Sequence, residues 1–301
     1  MFDYRIGFLG FGEAGYHLAM GFREEGVAHI SAFDINTDTP GLGERIRQRA
    51  SATRVELVVS TAQLAGRSDI VFSVVSADAA LNAALQMITY LAERHFYADL
   101  NSVSPETKQQ IDRSIASTGA KFVEAAVMAP VPGHNHKVPI LMAGANAASL
   151  AELLMPVGMR LEVISDQIGA ASAVKMCRSI VVKGLEALLL ECAMGAVQYN
   201  VDKRVFASLE ESYPGINWEE LAGYSIGRVI EHGGRRAREM EEVAATLRAA
   251  GIKPVMSEAT VETQDWGAGL NLKEEFGSAI PRDYRELVRA ISDRLERKPL
   301  A

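Results

Sequence analysis

The chain has few cysteines, no long apolar run and no excess of basic residues, and each shortage excludes a class of protein. Only two cysteines are present, Cys177 and Cys192, which are too few for a disulfide framework. No apolar stretch reaches membrane-spanning length without interruption, which argues against a membrane span. Acidic residues outnumber lysine and arginine by 38 to 31, so the net charge is −7. That balance argues against nucleic acid or an anionic membrane as the main partner.

The start of the chain and its bulk composition indicate an ordinary globular protein. Met1-Phe2-Asp3-Tyr4 runs directly into the first apolar strand, which leaves no room for a signal peptide. With so few cysteines, the expected location is the reducing cytoplasm. Hydrophobic residues make up 48% of the chain and charged residues 23%, which is typical of a soluble protein. A length of 301 residues is enough for two domains, each with its own core.

A glycine turn between an apolar strand and a helix is the most informative feature of the sequence. Residues 4–9 form the predicted strand, and the turn after it reads Gly10-Phe11-Gly12-Glu13-Ala14-Gly15. Gly10 permits a tight turn, Gly12 lets the backbone approach a pyrophosphate, and Gly15 lets the helix pack closely on the strand. The helix predicted over Glu13–Glu25 directs its free N–H groups at the phosphates. The pattern predicts a dinucleotide site, and a tight turn without a ligand is the alternative.

An acid ends the next predicted strand. Asp34 follows Ala28–Phe33 and lies about 20 residues beyond the glycine turn, where a carboxylate accepts bonds from the adenosine ribose. It repels the 2′-phosphate of NADP, and no arginine lies in residues 35–40, so NAD is the expected cofactor. NADP stays open, because a neighbouring loop can override one acid. The predicted cofactor contacts here are Gly10, Phe11, Gly12, Glu13, Ala14 and Asp34, with Val75 and Ser76 bordering the adenine ribose. For Glu13 the alternative is an outward-facing surface acid, since its charge repels phosphate.

Strands and helices alternate in the first part of the chain. The apolar runs predict further strands at Ile70–Val75, Phe96–Leu100, Phe122–Val127, Val138–Ala143 and Arg160–Ile164. The alternation predicts an α/β fold of the Rossmann type, with a doubly wound, mostly parallel sheet. We assign this NAD(P)-binding domain to residues 1–166.

The strands stop after about residue 166, and residues 167–301 are predicted to form an all-α domain for substrate binding and dimerisation. Its first helix runs from Ala170 to about Tyr199, with Val174, Val181 and Leu188 among the residues expected to be buried. Such an apolar helix exceeds what its own domain can cover, so we expect a homodimer through this domain. Gly233-Gly234 predicts a break between a helix at 218–231 and another at 235–250. The domain is expected to close a cleft against the nicotinamide end of the cofactor.

In addition to the glycine turn, three segments resemble the β-hydroxyacid dehydrogenase family, which includes 3-hydroxyisobutyrate and 6-phosphogluconate dehydrogenases. Residues 98–105, reading ADLNSVSP, resemble the family's strand end beside the nicotinamide. Residues 169–175, reading GAASAVK, resemble the helix that carries its catalytic lysine, here Lys175. Residues 235–254 resemble a late helix whose lysine–aspartate pair approaches the cofactor, which implies Arg238-Glu239 in this chain. The resemblance runs from Tyr4 to about Leu270 and is nearest to a phosphogluconate-dehydrogenase-like branch with its own C-terminal helical domain.

The sequence departs from the family at two substrate positions. The family holds the substrate carboxylate with a Ser-Gly-Gly turn, and this chain has Met128-Ala129-Pro130 there. One turn beyond the lysine the family places an asparagine, and this chain has Ser179. The substrate therefore cannot be transferred from well-known members. The residues predicted to bind it are Met128, Ala129, Pro130, Arg178, His232 and Arg235.

Lys175 is the predicted general acid/base. Oxidation of a secondary alcohol needs a group that takes the hydroxyl proton while hydride leaves for the nicotinamide. An ordinary lysine has a pKa of about 10.4, so burial and a neighbouring cation, for which Arg178 is a candidate, must lower it. The alternative is a lysine that extends from an apolar helix toward solvent.

Two further residues are predicted to be catalytic. Asn101 follows a buried strand at the ligand-binding edge of the sheet, where its amide can hold nicotinamide or substrate; a turn-forming Asn-Ser is the alternative. Ser179 lies one turn beyond Lys175 and can contact lysine or substrate, or else bond its own backbone. Lys183 and Glu186 are predicted to form a surface pair.

Two charged or ligating clusters have a less specific pattern. His134 and His136 have a spacing that can bind metal, but no third ligand cluster is visible, so a polar loop without a metal is expected. Residues 232–238, reading HGGRRAR, concentrate positive charge at a predicted helix start. They either bind an anionic substrate group or form ion pairs with neighbouring glutamates or a subunit contact.

Three functions remain in view. The leading hypothesis is a dehydrogenase that transfers hydride between NAD and a small anionic β-hydroxy acid, with Lys175 managing the proton. The second is oxidative decarboxylation of a phosphorylated aldonate; imine reduction is disfavoured because relatives with that activity usually lack the lysine. The third is a non-catalytic dinucleotide sensor, which would be expected to lose Lys175.

Overall fold

The computed structural model describes residues 3–277 and 279–297. The chain forms two compact units, Met1–Lys175 and Met176–Ala301. The first contains every strand of the described residues, and the second is built of helices. One helix, Ala170–Gln198, begins in the first unit and continues in the second.

The first unit contains one sheet of eight strands in the order β3-β2-β1-β4-β5-β6-β7-β8. Neighbouring strands are parallel except for β6 and β7, which are antiparallel. The strand order reverses between β1 and β4, which is where open α/β sheets bind ligands. The strands are β1 Ile6–Leu9, β2 Ile30–Phe33, β3 Glu56–Leu57, β4 Ile70–Ser73, β5 Phe96–Asp99, β6 Lys121–Val127, β7 Pro139–Ala143 and β8 Arg160–Ser165.

Helices cover both faces of this sheet. Phe22 of the first helix and Leu150 of the sixth belong to one buried apolar cluster, whereas Leu64 of the third and Ile111 of the fifth belong to the other. The helices are α1 Glu13–Glu24, α2 Leu42–Thr53, α3 Thr61–Gly66, α4 Ala80–Met87, α5 Pro105–Ala116 and α6 Ala147–Leu154. Two covered faces explain why β1, β4 and β5 are buried along their whole length. The predicted doubly wound fold is confirmed.

The second unit is all helical in the part of the chain that the structure describes. Leu190, Ile226, Val229, Leu287 and Ile291 are central to its main apolar core. After α7, Ala170–Gln198, its helices are α8 Asp202–Ser212, α9 Trp218–Ala249, α10 Val255–Gly269, α11 Leu272–Phe276 and α12 Tyr284–Arg297.

The predicted break at Gly233-Gly234 is wrong, because both glycines lie inside α9. They mark a close helix contact: a Cβ on Gly233 would lie 2.5 Å from the carbonyl oxygen of Gln264 in α10. A residue without a side chain is needed there for the two helices to approach. A predicted α9 start near residue 235 is corrected with it.

The predicted burial of α7 is also wrong in part. Val174, Val181 and Leu188 are exposed, Val181 at 70% and Leu188 at 53%, whereas Leu189 is buried as expected. The helix therefore carries apolar side chains on an outer face as well as toward its core. No helix within the described ranges is long and apolar enough to cross a membrane.

Candidate functional site

The glycine turn joins β1 to α1. Gly10 has φ +89°, and a Cβ on it would lie 2.7 Å from the carbonyl oxygen of Val74. A Cβ on Gly15 would lie 3.1 Å from the Gly10 carbonyl oxygen, so this glycine lets α1 pack against the turn. A Cβ on Gly12, by contrast, would meet nothing within 4 Å. Open space above backbone at a helix N-terminus is the cradle that a pyrophosphate needs, so the turn fits a dinucleotide.

Asp34 is tied to that turn. Its Oδ2 accepts a hydrogen bond from the Phe11 N–H at 2.7 Å, and its Oδ1 accepts one from the Asn36 N–H at 2.9 Å. The carboxylate thus lies at the carboxyl ends of β1 and β2, beside the turn. The Phe11 ring is fully buried, so Phe11 offers only its backbone to this surface.

The other predicted cofactor contacts lie around the same turn. Ala14 is half-buried in the first turn of α1, and Glu13 is exposed, as the alternative of a surface acid expects. Val75 and Ser76 follow β4, with Val75 half-buried and Ser76 exposed. Their contacts with a cofactor remain predictions.

A buried polar network fixes the turn after β5. Lys108 of α5 donates to the Asp99 carboxylate and to the Asp99 carbonyl oxygen, and both side chains are fully buried. The Asn101 amide donates to Asp99 Oδ2 at 2.8 Å and to Ser73 Oγ at 2.9 Å, and its oxygen accepts from the Val75 N–H at 2.8 Å. Both amide hydrogens of Asn101 are thus used within the protein. In this structure Asn101 positions the strand ends, and its direct contact with nicotinamide or substrate stays a prediction.

Lys175 meets the residue that follows Asn101. Its Nζ donates to Ser102 Oγ at 2.5 Å, and both side chains are half-buried. Ser102 follows β5 and Gly10 follows β1, and the two strands are parallel members of one sheet, so both turns lie at its carboxyl edge. The structure therefore brings the predicted acid/base to the edge that carries the glycine turn.

Glu124 of β6 holds the start of the helix that carries Lys175. This fully buried carboxylate accepts hydrogen bonds from the Gly169 N–H at 2.6 Å and from the Ser172 N–H at 2.5 Å. An anion at a helix N-terminus satisfies free N–H groups and interacts favourably with the helix dipole. Lys175 lies one turn beyond Ser172, so Glu124 sets where its amine begins. The sequence offered only the acid within an apolar strand as a signal for this role.

The Met128-Ala129-Pro130 segment leaves β6 at the same edge. Met128 is half-buried and packs against Ala170 and Ala171 at the start of α7, and its N–H donates to the Pro139 carbonyl oxygen at 2.9 Å. Pro130 is exposed and has no N–H. The segment lies near Lys175 in the fold, but it offers fewer backbone donors than a Ser-Gly-Gly turn.

The two histidines of the following loop are separated by their environments. His134 is exposed, with Nδ1 at 3.1 Å from the Pro130 carbonyl oxygen. His136 is buried against α1, with Nε2 at 2.9 Å from the Val157 carbonyl oxygen, and burial lowers its pKa. Among residues 3–277 and 279–297, no group of three or more potential ligands suits a metal ion.

In the second unit, Ser179 has a partner other than Lys175. It is buried, and its Oγ accepts from Lys183 Nζ at 3.0 Å. Lys183 also pairs with Glu239 of α9 at 3.1 Å. The role of Ser179 toward substrate stays a prediction.

The predicted surface pair of Lys183 with Glu186 is wrong, because both are buried and each pairs across to α9. Glu186 accepts from Arg236 at 2.7 Å and from the Gln264 amide at 3.0 Å. Burial lowers the pKa of Lys183 and raises the pKa of Glu186, with the ion pairs opposing both shifts.

The basic segment 232–238 lies inside α9 and consists largely of ion pairs. Arg235 pairs with Glu239, whereas Arg238 is exposed and pairs with both Glu241 and Asp265. Burial and the neighbouring Arg228 lower the pKa of His232 to about 4, so His232 adds no positive charge at neutral pH. This matches the alternative of glutamate pairing. Arg178 is exposed on α7, and contacts of Arg178, His232, Arg235 and Arg238 with substrate or cofactor stay predictions.

Comparison with known proteins agrees with this geometry. A family model described as the NAD binding domain of 6-phosphogluconate dehydrogenase matches residues 5–163, which is more than half of the chain. The chain belongs to the β-hydroxyacid dehydrogenase family. A second model, a domain of unknown function, matches residues 196–267 in the helical unit of this family member.

Individual relatives extend over most of the chain. An uncharacterized 28.5 kDa protein of Methanothermus fervidus is 30% identical over 256 residues, which are 85% of this chain and 96% of that protein. The mitochondrial 3-hydroxyisobutyrate dehydrogenase of Drosophila melanogaster is 25% identical over 71% of this chain and 64% of its own length. A conserved hypothetical protein from Sinorhizobium meliloti superposes with a TM-score of 0.79 and 37% identity, covering 98% of this chain and 97% of that chain. The family relationship supports a nicotinamide dinucleotide as cofactor and oxidoreduction of hydroxy acids as the reaction class.

Proposed function

We propose that the protein transfers hydride between NAD and a small anionic β-hydroxy acid, or its oxo form, with Lys175 as general acid/base. The observation that carries the proposal is the contact between Lys175 Nζ and Ser102 Oγ at the carboxyl edge of the sheet. A lysine at the edge that also carries the dinucleotide turn has a reason to be there beyond exposure to solvent.

The residues around Lys175 explain how its proton would be managed. When bound, the nicotinamide supplies the hydride acceptor. Lys175 takes the hydroxyl proton of the substrate, and the Ser102 hydroxyl holds the amine at the strand end. Glu124 and the Asn101 network fix the two turns that carry these groups, which limits the reorganisation needed before proton transfer.

The substrate is proposed only as a class. Met128-Ala129-Pro130 replaces the Ser-Gly-Gly turn, and the Met128 N–H is already bonded to Pro139. The acid group of the substrate would then be held differently from that of a 3-hydroxyisobutyrate dehydrogenase. Small hydroxy acids with varied substituents are the set to test.

NAD is proposed over NADP because Asp34 faces the glycine turn. One arginine that the sequence window missed also lies near: Arg47 of α2 donates to the Thr37 carbonyl oxygen at 2.5 Å. Because Arg47 is held by this carbonyl and by Glu44, the acid should decide the preference. Tighter binding of NADPH than of NADH by the wild type would contradict it, and Asp34→Asn should narrow the difference between the two.

The deciding experiment measures formation of NADH by the purified protein with NAD and a panel of β-hydroxy acids. Turnover of at least one acid supports the proposal. Release of CO2 in step with NADH would instead identify oxidative decarboxylation. Binding of NADH without turnover on a broad panel would identify a dinucleotide sensor.

A further inference from the structure

A basic cavity lies at the amino edge of the sheet, opposite the edge that carries the glycine turn. It has a volume of about 380 Å³ and lies beside the first residues of β1, β2 and β3. The residues that matter are its four arginines with one histidine and one serine: Arg5, Arg23, Arg54, Arg67, His29 and Ser31. Such a concentration of positive charge stands out in a chain whose net charge is −7.

Two of the four arginines are neutralised and two are not. Arg5 pairs with Asp69 at 2.6 Å and Arg67 pairs with Glu56 at 2.7 Å. Arg23 is held by backbone carbonyl oxygens, including those of residues 27, 28 and 53 at 2.7–3.0 Å. In the part of the chain that the structure describes, no carboxylate lies within ion-pair distance of Arg23 or Arg54. The cavity therefore carries uncompensated positive charge.

The two uncompensated arginines are close enough to oppose each other. Arg23 donates to the Arg54 carbonyl oxygen at 2.5 Å, and burial together with the Arg54 charge lowers the pKa of Arg23. Arg54 itself has φ +53°, a left-handed conformation that costs a non-glycine residue about 1–2 kcal/mol.

Helix ends explain part of this arrangement. Arg23, Arg54 and Arg67 lie at the C-terminal ends of α1, α2 and α3, where cations interact favourably with the helix dipole. That accounts for the carbonyl partners of Arg23. It does not account for Ser31, which belongs to β2 and to no helix end.

Ser31 supplies an independent observation. It lines the cavity, is only 4% exposed, and its hydroxyl has no hydrogen-bond partner among the described residues. A buried polar group without a partner costs about 1–3 kcal/mol, so native proteins rarely leave one without a reason. A bound acceptor in the cavity would satisfy it.

We propose that this cavity binds a phosphate group, either free phosphate or the phosphate of a small metabolite, between Arg23, Arg54 and Ser31. Arginine forks match phosphate oxygens, and the Ser31 hydroxyl donates to a further oxygen. Donors that come from a strand and two helix ends suit a tetrahedral anion better than a planar carboxylate. The site lies at the edge of the sheet away from the proposed redox site, and it does not depend on the proposed function.

The test is isothermal titration of the wild type with inorganic phosphate while NAD is kept saturating, so that the glycine turn is blocked. Arg54→Gly removes the guanidinium and suits the left-handed backbone, so it should fold at least as well. We expect its affinity for phosphate to fall by about tenfold or more, the equivalent of one lost charged hydrogen bond. Arg45→Ala, on the same helix but outside the cavity, should leave the affinity unchanged.

Ser31→Ala gives a second measurement. It should weaken phosphate binding without lowering the free energy of unfolding, since the hydroxyl has no partner to lose. Tighter binding of glycerol phosphate than of inorganic phosphate would identify a metabolite as the source, and equal binding would identify free phosphate. Phosphate binding that disappears under saturating NAD, that is unchanged in Arg54→Gly, or that is weaker than malonate binding would overturn the proposal.

Discussion

Lys175 is positioned by groups that lie far from it in the sequence. Ser102 contacts its amine, and Glu124 holds the N-terminal turn of its helix. The second contact is the less obvious one, because a carboxylate that never touches substrate would still set where the amine lies. Its contribution can be separated from that of Lys175 itself.

Replacement of Glu124 by glutamine should weaken this arrangement. One of the two accepting oxygens becomes an N–H group that faces a backbone N–H, and the charge at the helix N-terminus is lost. We expect a loss of about 1.5–3 kcal/mol in the free energy of unfolding, measured with urea, together with lower kcat. Glu152→Gln, an exposed change on α6, should stay within about 0.5 kcal/mol. Equal effects of the two changes would contradict the role of Glu124.

At this scale the sequence predicts residue types better than partners. The glycine turn, Asp34 and Lys175 follow from local patterns, because each needs a particular residue at a fixed distance from a strand or helix. Ser102 was noticed only as a neighbour of Asn101, and Glu124 only as an acid in a strand. Their roles depend on β5, β6 and α7 meeting in space, which spacing along one chain does not encode.

Among the elements, α9 shows where a local rule fails. Glycine pairs usually interrupt helices, yet Gly233-Gly234 continues one because α10 packs against it. The short strand β3 and helices α2 and α3 also went unpredicted, since they lack a strong apolar period. The strands of the sheet core, by contrast, were predicted to within a few residues because their apolar runs are buried on both faces.

The two glycines of α9 should respond in opposite directions to alanine. Gly233→Ala would place a Cβ 2.5 Å from the Gln264 carbonyl oxygen, so α9 and α10 must separate, at about 1–3 kcal/mol. Gly234→Ala meets only the Ala268 Cβ at 4.0 Å and should stabilise the helix by about 0.5–1 kcal/mol. Thermal or urea unfolding of both variants checks this. A shift of the same sign in both would show that the contact between the helices does not require Gly233.

The junction of α8 with α12 should depend on pH. Asp202 accepts hydrogen bonds from Arg285 Nε and the Tyr284 hydroxyl, both at 2.5 Å, and these donors lower its pKa to about 2. Its folded pKa lies below the ordinary value of about 3.9, so its stabilisation is present above that value and is lost as pH falls through about 2.

Unfolding experiments over a range of acidic pH test this linkage. The difference in free energy of unfolding between the wild type and Asp202→Asn should shrink as pH falls from about 5 toward about 2. Asp293→Asn, an exposed change on α12, should show little pH-dependent difference. A gap for Asp202→Asn that stays constant over the range would show that the carboxylate is not stabilised as described.

For the whole molecule, we expect a homodimer through the helical unit. Cys177, Val181 and Leu188 lie on one face of α7 and are exposed, which is unusual for a row of apolar side chains on a helix. Light scattering should give twice the chain mass for the wild type, and Val181→Glu should shift it toward the monomer. Val59→Glu, a similarly exposed valine in the first unit, should leave it unchanged. A wild type that is monomeric at all concentrations would refute the dimer.

The central claim is that Lys175 is the acid/base of a dehydrogenase, and it is tested most directly with the best acid found in the panel. Lys175→Ala should lower kcat by about 10²–10⁴-fold, the usual contribution of a general acid/base, and leave the Kd for NADH nearly unchanged. Lys253→Ala, an exposed lysine in the helical unit, serves as the matched control and should retain full turnover. Turnover of Lys175→Ala equal to that of the wild type would contradict the account.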